Sequence, residues 1–222
     1  MQVPFNDLRL LHSKLKQEIL DSIGNIIDNS SFILGPGVRN FENDFASEIG
    51  VSHCTGVSSG TDANHLALWA NGIGPGDEVI IPANTFIATA WGVTLCGATP
   101  VFADCEADSY NIDPAEVERK ITSKTKAVVP VHLFGQTADM DTINSISKNR
   151  NILVLEDAAQ AHFAEYKGKI AGSLSLAASF SFYPGKNLGA IGEAGALTTN
   201  NDELDSRFRL LRDHGSEKKY YH

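Results

Sequence analysis

The sequence is poor in cysteine, in long apolar runs and in basic charge, and each shortage excludes a class of protein. Its 222 residues include three cysteines, Cys54, Cys96 and Cys105. The number is odd and no two stand in a CxxC spacing, so neither a disulfide framework nor a zinc site is expected. Reduced thiols in core or strand positions fit a cytoplasmic protein. No apolar run approaches the roughly 18–20 residues that span a bilayer, so no membrane segment is expected. The N-terminus MQVPFNDLRL lacks a basic stretch followed by an apolar one, so no secretory signal is read. Lys and Arg number 18 against 27 Asp and Glu, for a net charge of −9. An acidic surface repels phosphate backbones, which argues against nucleic acid as a partner, although a pocket can still hold a small anion with local donors. The Walker pattern GxxxxGK(S/T) is absent, and VSSGTDAN does not supply the GxGxxG of a nicotinamide-binding fold.

What is present is a core. Hydrophobic residues make up 42% of the chain, enough for one large α/β domain or two small ones. Short β-branched or apolar runs bounded by turn residues predict strands at HCTGVSS (53–59), DEVIIP (77–82), TPVFADC (99–105), TKAVVPVH (125–132), NILVLEDA (151–158), AASFSF (177–182) and GALTTN (195–200). Between most of them lie helical patterns: TDANHLALWANG, TFIATAWGVTLCG, PAEVERKI and DMDTINSISKN. The alternation predicts a three-layer α/β/α fold with a mainly parallel, seven-stranded sheet covered on both faces. The last two strands, separated only by a lysine-bearing loop, are expected to pair antiparallel. Residues 1–50 read as an N-terminal helical segment, LHSKLKQEILDSIGNIIDNS and VRNFENDFASEIG, packing on a large domain at 51–222. The chain stops after ELDSRFRLLRDHGSEKKYYH, a helix running into a polar, aromatic tail without a closing element, as a fragment of a longer protein would.

In sheets of this kind ligands bind beyond the carboxyl ends of the strands, and four loops there carry chemistry. SSGTDAN puts Gly60, Thr61 and Asp62 at a helix start, where free amides favour an anion; an ordinary N-cap is the plainer reading. NTFIATAWG holds Phe86, a platform for a planar ligand, and Trp91, unless both rings are core. LVLEDAAQAH ends a buried strand on Asp157, which demands a partner or a structural salt bridge, with Gln160 and His162 close behind. SFYPGKNLGA sets Lys186 on a glycine-lined turn, five residues after Ser181. Exposed, such a lysine is a solvated turn residue; desolvated, it becomes a nucleophile towards carbonyls. An anion cradle, an aromatic platform, a buried carboxylate and a nucleophilic lysine are together what pyridoxal 5'-phosphate requires.

These motifs, in order, resemble the DegT/StrS family of pyridoxal-phosphate-dependent sugar aminotransferases, whose large domain has fold type I. The resemblance rests on VPFNDL, GPGVRNFENDFA, SGTDA, EDAAQAH, SFYPGKNLGA and LRDHG and runs through nearly the whole chain. It implies that Lys186 is the catalytic residue and links to the cofactor, that Asp157 holds the pyridine nitrogen protonated, and that Phe86 stacks on the ring. It places Gln160 near the ring hydroxyl and Gly60, Thr61, Asp62 and Ser181 on the phosphate. His162 and Asn187 match motif positions without an assigned role, and no metal is implied. The implied reaction moves an amino group from an amino acid, usually glutamate, to a nucleotide-linked keto sugar for amino-deoxy sugar biosynthesis. The implied assembly is a homodimer with the site at its interface and a C-terminal domain beyond this chain.

Three positions depart from the family pattern. Asn64 stands where an apolar residue is usual, Phe163 replaces a small one, and GSLSLAA differs from the usual Gly-Asp before the sixth strand. A dehydrating relative, with histidine in place of the lysine, is disfavoured by Lys186. A non-catalytic regulatory protein on the same fold is disfavoured by the complete lysine–aspartate–serine set.

Overall fold

The computed structural model describes residues 3, 4 and 6–216, so Phe5 of the opening motif and the polar tail at 217–222 lie outside the described residues. Helix α1 (Arg9–Asp28) and helix α2 (Pro36–Ile49) come first, followed by β1 (His53–Val57), α3 (Gly60–Trp69), β2 (Glu78–Pro82), α4 (Ile87–Leu95) and β3 (Thr99–Ala103). Then come α5 (Pro114–Lys120), β4 (Thr125–Val128), a 3-10 turn at Leu133–Gly135, α6 (Met140–Lys148) and β5 (Leu153–Asp157). A small hairpin, β6 (Glu165–Tyr166) with β7 (Lys169–Ile170), precedes β8 (Ala177–Ser181), β9 (Gly195–Thr199) and α7 (Asp202–Arg212).

Seven strands form one sheet in the order β1-β9-β8-β5-β4-β2-β3. The β2–β3, β2–β4, β4–β5 and β5–β8 pairs are parallel, and β9 runs antiparallel to both β8 and β1. The mainly parallel seven-stranded sheet and the antiparallel final pair are therefore as the sequence predicts; the insertion of β9 between β8 and β1 is not visible in it. Strand 125–132 ends early, at Val128. Pro130 has no N–H to give, and the neighbouring chain is held instead by Val129 N–H to Ile80 O (2.8 Å) and by an isolated bridge between Val131 and Asp157. The β6–β7 hairpin, too short for a periodic signal, is an addition to the expected elements.

Strand periodicity sorts the core into two faces. Val79 and Ile81 pack with α3, α4 and α7 side chains such as Leu66, Val93 and Phe208 on one side. Ile80, Val128 and Val154 meet Val117, Met140 and Ile143 of α5 and α6 on the other. A third cluster fastens α2 to the far end of the sheet, with Phe45 edge-on to Phe180 and Phe182 at 5.0 and 5.3 Å. Within residues 1–50 the two helices differ. Helix α2 buries Glu42, Phe45, Ala46 and Ile49, whereas α1 buries none of its side chains.

Candidate active site

A cavity of about 560 Å³ opens at the carboxyl ends of the parallel strands. Its walls come from the turn after β1 (Ser59, Gly60, Thr61), the start of α4 (Phe86, Thr89, Trp91), Val131 beyond β4, Asp157 ending β5, and Ser181 ending β8. The loop between β8 and β9 closes it with Tyr183, Lys186 and Glu193.

The turn from β1 into α3 is shaped by its backbone. Ser59 caps α3, its hydroxyl accepting from Asp62 N–H at 3.1 Å, which directs the next amides outward. Gly60 lets this helix start meet the end of β8: a Cβ there would sit 2.6 Å from Ser181 Cβ. Gly60, Thr61 and Ser181 line the cavity, but Asp62 does not; its carboxylate accepts from the Ser58 hydroxyl instead.

Phe86 and Trp91 are not core. They are 65% and 51% exposed and both face the cavity. Phe86 is the N-cap of α4, with an extended backbone, so its ring projects from the junction rather than from a packed turn.

Asp157 is 4% exposed. Neutral donors, rather than a structural salt bridge, meet its carboxylate. Oδ2 accepts from Asn64 Nδ2 (2.9 Å) and the Thr89 hydroxyl (2.7 Å), and Oδ1 from Ala159 N–H (3.2 Å). Gln160 lines the cavity and its Oε1 anchors Phe134 N–H at 2.8 Å.

Lys186 is half-buried on a turn closed by its own N–H to Tyr183 O at 2.8 Å. Burial pushes its pKa below the ordinary lysine value, and the negative charge of Asp157 works against that shift. His162 and Asn187 do not line the cavity. They pair with each other, Nδ1 to Oδ1 at 2.7 Å, which ties the residue after Lys186 to the loop after β5. Burial lowers the pKa of His162, against the hydrogen bonds with Asn187 and the Ser181 backbone.

With the α3 helix start, Phe86, Asp157 and Lys186 around one cavity, the comparison with known proteins becomes informative. The profile of the DegT/DnrJ/EryC1/StrS aminotransferase family matches residues 13–222. The chain belongs to this family. A pleiotropic regulatory protein of Geobacillus stearothermophilus is 50% identical over 222 residues, all of this chain and 60% of that protein. A dTDP-3-amino-3,4,6-trideoxy-alpha-D-glucose transaminase of Streptomyces venezuelae is 46% identical over 100% of this chain and 58% of its own. Among solved structures, DesV of S. venezuelae in complex with a ketimine intermediate superposes with a TM-score of 0.97 at 46% identity, covering 100% of this chain and 60% of that one. NtdA of Bacillus subtilis with bound cofactor PMP gives a TM-score of 0.90 at 34% identity, over 100% and 51%. The chain spans about 60% of the length of the curated relatives it matches.

Family motifs do not account for every wall of the cavity. Asn64 stood out in the sequence only as a departure from the family, and Thr89 not at all, yet both hold Asp157. Tyr183 and Glu193 also line the cavity. The available signal was a polar residue at a buried helical position, since Asn64 and Thr89 are 5% and 2% exposed.

Proposed function

We propose that this chain carries the cofactor-binding part of a pyridoxal-phosphate-dependent aminotransferase that moves an amino group from glutamate to a nucleotide-linked keto sugar. The observation that carries the reading is the meeting of Lys186, Asp157, Phe86, Ser181 and the α3 N-terminus around one cavity. The residues fit the cofactor part by part. The amides at Gly60 and Thr61, with the Thr61 and Ser181 hydroxyls, suit a phosphate at a helix N-terminus. The exposed face of Phe86 suits a flat ring. The carboxylate of Asp157 suits a pyridinium N–H, to which it would offer a charge-assisted hydrogen bond. The Lys186 amine suits an aldehyde carbon.

When bound, pyridoxal phosphate supplies an electrophilic carbonyl for amines and a ring that takes up electrons. The chain's own residues do the rest. With the cofactor in place, Lys186 Nζ would take the proton from the donor's α-carbon. Burial favours the neutral form that this needs. Asp157 would accept the hydrogen bond of a protonated ring nitrogen, Gln160 would stand near the ring hydroxyl, and Phe86 would stack on the ring. Run in reverse, Lys186 Nζ returns a proton to the sugar carbon that gains the amine. Lys186 is the one basic side chain among the described residues that line the cavity. We therefore place the sugar's diphosphate along an interface with a second copy of the protein. The name of the S. venezuelae relative supports a dTDP-linked 6-deoxy keto sugar.

Borohydride reduction of the cofactor-loaded protein, followed by peptide mapping, is expected to label Lys186. A label on Lys167 or Lys169 overturns the assignment. Glutamate and a panel of nucleotide-linked 3-keto and 4-keto sugars, followed by mass, test the substrate; amination of a 2-keto acid alone overturns the sugar. The regulatory name of the G. stearothermophilus relative favours a second reading, a non-catalytic regulator on this fold. A purified protein without visible absorption after incubation with the cofactor would support it.

A further inference from the structure

The carboxylate at the base of the cavity is held by two residues outside the motifs that carry the resemblance. Asn64, in α3, bridges two strands, the end of β5 and the middle of β8: its Nδ2 donates to Asp157 Oδ2 at 2.9 Å and its Oδ1 accepts from the Ser179 hydroxyl at 2.6 Å. The carboxylate can only accept, so the amide nitrogen faces Asp157 and the amide oxygen is left for Ser179. Thr89, in α4, gives its single hydroxyl hydrogen to the same Oδ2 at 2.7 Å. Thr85, 2.8 Å from Thr89 Oγ1, is therefore the donor in that pair. Gly92 brings the two helices close enough for both to reach one oxygen: a Cβ there would lie 2.8 Å from Asn64 Cβ and 3.0 Å from Asn64 carbonyl carbon.

Two neutral donors occupy both lone pairs of Oδ2. Oδ1 receives only the Ala159 N–H, at 3.2 Å, and keeps an acceptor position, while Asp157 lines the cavity. The carboxylate is thus asymmetric, with one oxygen tied to the protein and the other available to a ligand. We propose that Asn64, together with Thr89, is a positioning residue that ties down Asp157 Oδ2 and so makes Oδ1 the oxygen that meets the ring nitrogen of the cofactor. The inference rests on the pyridoxal phosphate reading. Asp157 touches the cofactor; Asn64 and Thr89 act through it. An apolar side chain at position 64 would leave Oδ2 half-satisfied and the carboxylate free to rotate between two acceptors.

The test compares two ligands. One is pyridoxal phosphate; the other is its analogue with a carbon in place of the ring nitrogen, which offers no N–H to Asp157. Dissociation constants for both are measured by absorbance with the wild-type protein, Asn64→Leu and Thr89→Val. Each substitution is expected to weaken pyridoxal phosphate about tenfold and to leave the analogue within about twofold, because a hydrogen bond with a charged partner is at stake only in the first. Should Asn64→Leu not fold, Thr89→Val and the smaller change Asn64→Ser carry the same comparison. Equal weakening of both ligands would make Asn64 and Thr89 merely structural, and no weakening of either would remove the role; either result overturns the inference. A wild-type protein that binds neither ligand overturns the cofactor reading itself, which is a different result from a binder indifferent to Asn64.

Discussion

Burial of Lys186 makes its contribution to stability depend on pH. Desolvation lowers its pKa, and the charge of Asp157 restores only part of the shift. The folded-state value lies below the unfolded one, so the folded protein bears no penalty above the ordinary lysine range, a growing penalty as pH falls, and the full penalty below the lowered value. Lys186→Met removes it. Without cofactor, the variant is expected to melt above the wild type at pH 7, with the gain shrinking as pH rises towards 10.5. Thermal melts at several pH values decide this; equal melting temperatures at pH 7 would show that the lysine is not burdened. The cysteines show the opposite use of burial. It pushes the Cys96 thiol up to about 11 and the Cys54 thiol further, so both side chains are inert packing groups in the core and at its margin.

Elements are joined by a buried ionic staple that no motif announces. Glu42, on α2 and 4% exposed, accepts from Gly56 N–H of β1 at 2.8 Å, from Arg209 Nη1 at 3.0 Å and from Arg212 Nη1. The two arginines are on α7, and they also donate to Cys54 O (3.0 Å) and Gly56 O (3.1 Å). One carboxylate therefore fastens the first packed helix and the last one to the same edge strand. Without Glu42, Arg212 is left largely buried and unpaired, whereas Arg209, 39% exposed, keeps Asp205 at 2.8 Å, so the cost falls below that of a fully buried pair, at about 2 kcal/mol. Glu42→Ala is expected to lose about that much in urea denaturation. A loss under about 1 kcal/mol would mean that water reaches the arginines and solvates them.

At the scale of the whole molecule, stability rests on the two faces of the sheet and not on α1. That helix leaves Leu10 74% and Leu20 50% exposed and buries no side chain of its own. Exposed positions contribute little to folding, typically within ±0.5 kcal/mol. Deleting α1 from this 222-residue chain should therefore shift its melting temperature by no more than about 2 °C. A fall of 10 °C or more would require packing of α1 that the structure does not contain. Among the described residues no helix is long and apolar enough to cross a membrane.

Local order was legible because it is written in short-range patterns. Apolar runs bounded by Gly, Pro and Asn marked the seven sheet strands, and helical spacing marked the helices between them. The motifs SGTDA, EDAAQAH and SFYPGKNLGA placed Gly60, Thr61, Asp157, Gln160, Ser181 and Lys186, which do line one cavity. Long-range partners were decided by the tertiary structure alone. Strand 125–132 stopped at Val128, before Pro130, and beyond it the pairing passes to an isolated bridge between Val131 and Asp157 that no local pattern shows. Asp62 turned away from the cavity to the Ser58 hydroxyl, while Phe86 and Trp91 turned into it. Asn64 meets Ser179 across 115 positions, and Asp157 across 93. Periodicity reports whether a residue is buried; only the crossing of α3, α4 and the strand ends decides what it is buried against.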